Sequence, residues 1–213
     1  SVASADQYLK DEGLGLDVEV DGKRRFYPFQ ILVWHEIVND LFGDVPLAVT
    51  FSPLTMTGIV FERSDPSVTF GVSSKLWNNN LVMIDSASKS LWSQLLGRAV
   101  SGERSGTELV AYPSAVVSWT DWKEANPRGE VLSRETGADR DYTRNPYGNY
   151  ELTQAINFPL TSVDARLPAK SIVYVDVAKD GSRVAYPAAL IESPSNDRLD
   201  IALSASAIRG FWF

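Results

Sequence analysis

The only histidine of this chain, His35, stands beside a carboxylate, Glu36, within the mostly apolar stretch from Phe26 to Arg63. Further along the same stretch Ser52 opens a Ser-Pro-Leu-Thr turn between two apolar runs. A hydroxyl becomes nucleophilic when a neighbouring base takes its proton, and a third group commonly orients that base. His35 as base, Ser52 as nucleophile and Glu36 as orienting carboxylate are therefore the candidate catalytic residues, with Asp40 and Asp85 as alternative carboxylates. The plainer reading of the same residues is a satisfied histidine bridging backbone groups, with Ser52 as a turn residue before Pro53. No Gly-x-Ser-x-Gly elbow surrounds Ser52, so the common hydrolase signature is missing.

A second set of residues points to binding. Flat aromatic rings suit apolar ligand faces and a nearby amide fixes polar groups, which singles out Trp92 and Gln94, with Asp85 before them and Tyr142 further on. A small molecule, a glycan or a peptide would each suit such a cleft, and ordinary core use of the aromatics competes with all three. His35 with Glu36, Asp40, Asp44 and Asp85 contains the donor types of a mixed histidine–carboxylate metal site. A single histidine excludes multi-histidine sites within one chain, and no His-x-x-x-His or Asp-x-Asp spacing supports the mixed set, so no metal site is expected and the cofactor stays open.

Composition narrows the classes. Lys+Arg 20 against Asp+Glu 27 gives a net charge of −7, which argues against a nucleic-acid groove or an anionic membrane surface as partner. The absence of cysteine excludes disulfides, thiolate zinc sites and iron–sulfur clusters. No apolar run approaches the ~18–20 residues of a membrane span. The chain opens Ser-Val-Ala-Ser without methionine or leader, which suits a processed or trimmed chain, and it carries no Asn-x-Ser/Thr acceptor for N-glycosylation.

The elements that must position these residues are short and strand-like. Residues 1–15 read as a surface arm or short helix, and 16–213 as one β-rich domain. Leu16–Val20 alternates with period two, Asp21-Gly22 is hairpin-turn chemistry, and Pro28 ends the returning strand because proline has no N–H to give to a ladder. Between Phe29 and Phe42 helical and strand periodicities compete; we read a helical turn over 29–33 and then a hairpin pairing 35–41 with 46–52. A spacing of four returns to the same face in either form, which groups His35 with Asn39 and Glu36 with Asp40. Trp119–Ala125 reads as a helix capped by Thr120. Residues 133–162 read as a long Arg- and Tyr-rich loop, of which 134–150 is expected to lack regular structure and to pack over the face carrying Trp92. The tail repeats the head: Ile172–Val177, Asp180-Gly181, Tyr186-Pro187 and Asn196-Asp197 follow the order of Leu16–Val20, Asp21-Gly22, Tyr27-Pro28 and Asn39-Asp40. A duplicated β-unit over 16–52 and 172–203 follows, its Tyr-Pro and Asn-Asp pairs fixing turns. The fold class is mainly β, antiparallel, barrel- or sandwich-like, with a few short helices.

WHEIVND (34–40), the Pro-Leu-Thr turn (53–55), TFGVSSKLWNNNLVMID (69–85) and SLWSQLLGRAVSG (90–102) carry a family resemblance. They resemble a large family of exported bacterial and archaeal proteins catalogued as domain of unknown function 3179, and DYTRNPYGNY (141–150) and the Gly-Phe-Trp-Phe tail fit as well. The resemblance covers nearly the whole chain from about Asp17. It implies architecture and an exported location, periplasmic or extracellular, more than an activity. The family pattern commonly has cysteine before the Pro-Leu, where this chain has Ser52, and its tail usually runs beyond the final Trp-Phe. Two function classes stay open: an enzyme-like site around His35 and Ser52, and a non-catalytic binding, structural or self-assembly module. A catalytic His35 must border a solvent-connected pocket; in a binding module it can be buried and bonded.

Overall fold

The computed structural model describes residues 1–177, 182–191 and 207–212. A short helix α1 (Val2–Ala5) leads into the hairpin β1 (Leu14–Val20) and β2 (Lys23–Pro28), then α2 (Phe29–His35) and a second hairpin, β3 (Ile37–Phe42) with β4 (Val45–Ser52). Next come β5 (Thr57–Glu62), the meander β6 (Phe70–Trp77), β7 (Asn80–Asp85), β8 (Leu91–Ser93) and β9 (Arg98–Ser101), and the strands β10 (Val110–Tyr112) and β11 (Ser114–Ser118). Helix α3 (Trp119–Ala125) and β12 (Glu130–Val131) precede a long irregular stretch broken by one helical turn at Tyr150–Leu152. The described chain ends with β13 (Ile172–Val177), β14 (Arg183–Pro187), α4 (Ala188–Ile191) and β15 (Ile208–Phe211).

These strands form four sheets, ordered β11-β1-β2-β12, β10-β5-β4-β3, β6-β7-β8-β9 and β14-β13-β15, with antiparallel pairing throughout except between β12 and β2. The arrangement is sandwich-like, without a closed barrel. The β10-β5-β4-β3 sheet is the shared middle layer because its strands are apolar on both faces. Leu47, Val49, Phe51 and Val60 face the core made with Leu16, Val18 and Tyr27, while Ala48, Ile59 and Phe61 face the core made with Leu81, Met83 and Trp92. Strand geometry sends alternate side chains to opposite faces, so a doubly buried strand reads as a continuous apolar run. A third core of Ala5, Leu9, Phe26, Trp119 and Trp122 anchors the N-terminal segment through two buried side chains, the rest of it lying on the surface.

The two stretches expected to be duplicated share an element order in the described residues. Each runs strand, strand, helix, and Tyr27-Pro28 and Tyr186-Pro187 each end the second strand immediately before the helix. Asp21 and Gly22 turn the first hairpin at φ 49° and 74°, as a two-residue loop with both positions left-handed requires. Asp180-Gly181 and Asn196-Asp197 lie outside the described residues. Asn39-Asp40, expected in a turn, lies inside β3 instead. The Asn39 side chain exchanges two hydrogen bonds of 2.8 Å with the Phe70 backbone and so ties β3 to the β6 meander. Asp40 accepts from Tyr27 (2.6 Å) and Arg25. Ser118, not Thr120, caps α3: its Oγ accepts from the Asp121 N–H, while Thr120 bonds back to Asp11.

Candidate functional site

A cleft of about 390 Å³ opens between α2 on one side and β13 and β15 on the other. Phe29, Gln30 and Val33 of α2 contribute to it from the first side, and Ile172 of β13 from the second, joined by Arg209 and Phe211 of β15. Pro53 and Met56, in the turn after β4, and an irregular strap bearing Tyr142, Arg144, Tyr147 and Tyr150 complete the wall. A volume of this order suits a small molecule rather than a polymer.

Three consecutive residues at the end of α2 hold the strap. Trp34 Nε1 donates to the Arg144 carbonyl (3.1 Å), His35 Nε2 meets the Tyr142 hydroxyl at 2.6 Å, and the Glu36 carboxylate faces the Tyr147 hydroxyl. Tyr142 also meets Thr136 Oγ1 at 2.6 Å, while Arg140 lies over the Trp34 ring and Arg134 over Tyr8. The strap thus packs over α2 and the N-terminal segment, not over Trp92, because its tyrosines find hydrogen-bonding partners there. Glu36 closes α2 at φ 60°, a position that favours glycine, and its C=O accepts from the Phe51 N–H at 2.7 Å. That break also ends the expected face-sharing of His35 with Asn39 and of Glu36 with Asp40, since no regular period runs through it.

Electrostatics match this clamping role. Burial pushes the Glu36 carboxyl up against the opposing pull of Tyr147, and burial with the Glu36 charge raises the Tyr147 hydroxyl to about 12. Burial, then the nearby Arg140 charge, holds the His35 imidazole below its ordinary 6.5. A depressed histidine favours the closed strap above its free value and works against it as pH falls through the depressed one. Cleavage of the strap by a low concentration of protease should therefore rise as pH drops below about 6.5, the ordinary histidine value. His35→Asn should raise it several-fold at neutral pH, the expectation for losing a bond of about 1 kcal/mol. Equal cleavage rates in wild type and variant across pH 5–8 would remove His35 from the clamp.

The cleft also collects unsatisfied polar groups. Arg209 Nη1 is shielded from solvent and has no hydrogen-bond partner. The Tyr150 hydroxyl is likewise shielded from solvent and faces the Asn157 backbone. Tyr150 is itself fixed by Lys170, whose Nζ donates to the Tyr150 carbonyl (2.6 Å) and lies 3.2 Å from the ring centroid. None of the charged residues lining the cleft (Lys10, Glu12, Arg144, Glu151 and Arg209) takes part in an ion pair among the described residues.

Of the residues singled out in the sequence, only Tyr142 lines this cleft; His35 and Glu36 act from behind it, through the tyrosines. Ser52 lies at the end of β4, 1% exposed, and its Oγ accepts from the Leu81 N–H at 3.1 Å. No hydrogen bond joins it to His35, and the two point to different partners. Gln94 is fully buried and bonds Thr50, Thr57 and Asn80 between two sheets. Trp92 is a core residue that packs edge-on against Phe70 and donates to Asp85 at 2.9 Å. Among the described residues no group of three His, Asp or Glu is placed to hold a metal ion. Sequence reasoning missed Arg209 and Tyr150; a lone cation inside the apolar strand Ile208–Phe211 was the available signal for the first.

Asp85 yields a pH expectation of its own. Burial alone would raise its carboxyl, but donors from Trp92 and Ser88 outweigh that and draw it down to about 2. A depressed carboxyl contributes stability that is present above the ordinary carboxylate value of about 4 and lost as pH falls toward the folded one. Asp85→Asn should flatten the fall in melting temperature between pH 5 and 2.5. An unchanged slope would place the acid sensitivity elsewhere.

Fold and site together define a layered, sandwich-like β protein with a ligand-sized cleft between α2 and the strands β13 and β15. Residues 1–208 match the family described as protein of unknown function (DUF3179), and the chain belongs to that family. No curated protein and no solved structure matches it.

Proposed function

We propose that the chain is a small-molecule-binding protein whose cleft takes a carboxylate with an apolar or aromatic body. The carrying observation is Arg209, a cation at the wall of a cleft with six aromatic side chains that forms no ion pair among the described residues. A carboxylate meets a guanidinium with two parallel hydrogen bonds, and one that displaces the packing over Nη1 would give that donor the acceptor it lacks. Phe29, Phe51 and Phe211 supply apolar surface for the rest of such a ligand. The test is calorimetric titration of the full chain with aliphatic and aromatic monocarboxylates alongside their amides. Binding of the acids and not of the amides supports the reading; equal binding, or none up to millimolar concentration, overturns it.

A catalytic reading has one observation in its favour. Tyr142 lines the cleft and its hydroxyl is bonded to His35, so a proton could pass between the imidazole and a bound molecule through that hydroxyl. Recovery of a bound carboxylate chemically unchanged after long incubation would count against it, and turnover abolished by Tyr142→Phe would count for it. Location outside the cytoplasm belongs to the proposal as well, supported by the family resemblance. Fractionation of cells producing the full-length native protein tests it.

A further inference from the structure

Strand β15 is a partition. Arg209 contributes to the cleft described above, while its neighbours Ile208 and Gly210 line a second cleft of about 390 Å³, as alternation along a strand requires. Gly210 is needed for the closure: a Cβ there would come within 2.6 Å of Thr57 Oγ1. The other side of this second cleft is the turn after β6, with Trp77 and Asn78, and the segment 158–162, which is pinned to that turn. Asn79 exchanges hydrogen bonds with the Phe158 backbone, and Asn78 Oδ1 accepts from the Thr161 N–H at 2.8 Å.

The chemistry of this wall differs from that of the first. Every described residue lining it is uncharged. Trp77 is 43% exposed and has no ring or cation partner among the described residues, so its indole face is open. Asn78 and Ser162 also line the cleft, each with side-chain hydrogen-bonding capacity that the described chain leaves unused. The floor is rigid, because Asn80 and Thr55 are bonded to each other and Asn80 to Gln94. An open flat ring beside uncharged amides and hydroxyls suits a ligand with an apolar C–H face and a rim of hydroxyls, and offers nothing to a charged one.

We infer that this second cleft binds a neutral saccharide, stacked on Trp77 and hydrogen-bonded through Asn78 and Ser162, independently of the carboxylate cleft across β15. Trp77→Ala weakens binding about tenfold or more, the ordinary consequence of removing a stacking aromatic from a small-ligand site. Trp77→Phe keeps the ring and retains affinity within about threefold, which separates lost stacking from misfolding.

The experiment is a titration of the full chain with cellotriose, maltotriose and chitotriose. It is read by the nuclear magnetic resonance signal of the Trp77 indole N–H, assigned by its absence in Trp77→Phe. The expected result is a saturable shift with at least one sugar, about tenfold weaker binding by calorimetry in Trp77→Ala, and unchanged binding in Arg209→Met. Failure of all three sugars to move the signal overturns the inference, as does undiminished binding in Trp77→Ala. Sugar binding that survives Trp77→Ala but is lost in Arg209→Met would assign the ligand to the first cleft, and equally overturns it.

Discussion

Arg209→Met should leave the protein at least as stable as the wild type while weakening carboxylate binding by tenfold to a hundredfold or more. The two halves of that result have one cause. Arg209 Nη1 is shielded from water without a hydrogen-bond partner, and an unsatisfied buried donor carries a desolvation penalty of about 1–3 kcal/mol. Methionine fills similar space without that donor, so removal costs little in folding and can return part of the penalty. The same guanidinium is the cation that Arg209 brings to the cleft wall, so its removal takes away a charge-assisted, two-pronged contact with a bound carboxylate. Arg209→Lys keeps the charge but not the planar fork, and should bind between the two. Urea unfolding of each variant with and without ligand makes the comparison. A variant that melts several degrees lower yet binds as tightly as wild type would show that Arg209 supports the sheet and not a ligand.

His35 and Glu36 stand behind the cleft wall, where they meet Tyr142 and Tyr147 rather than Ser52. They sit where α2 ends and β3 begins, at a residue with φ 60°, and a backbone held there is worth its strain only if the surroundings use it. Here the use is to present Trp34, His35 and Glu36 to one strap together. The strap residues that they hold are the ones that line the cleft.

Local signals carried most of the fold. Tyr-Pro strand ends, the Asp-Gly turn and the hairpin of β3 with β4 depend on backbone chemistry within a few residues, and each is legible from sequence. The short helix was legible too, though it runs to His35 rather than stopping at residue 33. What failed was the periodicity carried across Glu36, because a left-handed residue resets which side chains share a face. The site was harder to see. Tyr142 could be found because Arg and Tyr clustered in a long loop, but Arg209 matters for the partner it lacks, and that is a property of the folded chain. Trp92, Gln94 and Asp85 attracted attention as polar and aromatic groups among apolar strands. The structure gives the reason for that pattern: two sheets meet there, and the polar groups fix how they meet.

That last assignment predicts the largest loss of stability in the molecule. Gln94 is fully buried; its Nε2 donates to Thr50 Oγ1 (3.1 Å) and the Thr57 carbonyl (3.0 Å), and its Oε1 accepts from Asn80 Nδ2 (2.7 Å). The three bonds run from β4, β5 and β7 to one side chain, so they set the position of the middle sheet against the meander. Gln94→Leu leaves those groups buried without their partner and should cost about 3–4 kcal/mol, near the top of the range for single substitutions. Thr50→Val removes both a donor to the Ile59 carbonyl (2.7 Å) and the acceptor for Gln94, and should cost about 1–2 kcal/mol. The double variant should cost less than the sum, because the bond shared by the pair is lost only once. Urea midpoints of the four proteins, at unchanged slope, give the coupling directly. A Gln94→Leu protein within about 0.5 kcal/mol of wild type, the ordinary range for a surface change, would mean that the network does not hold the sheets. If that same protein had also lost ligand binding, Gln94 would return to the role that its sequence first suggested.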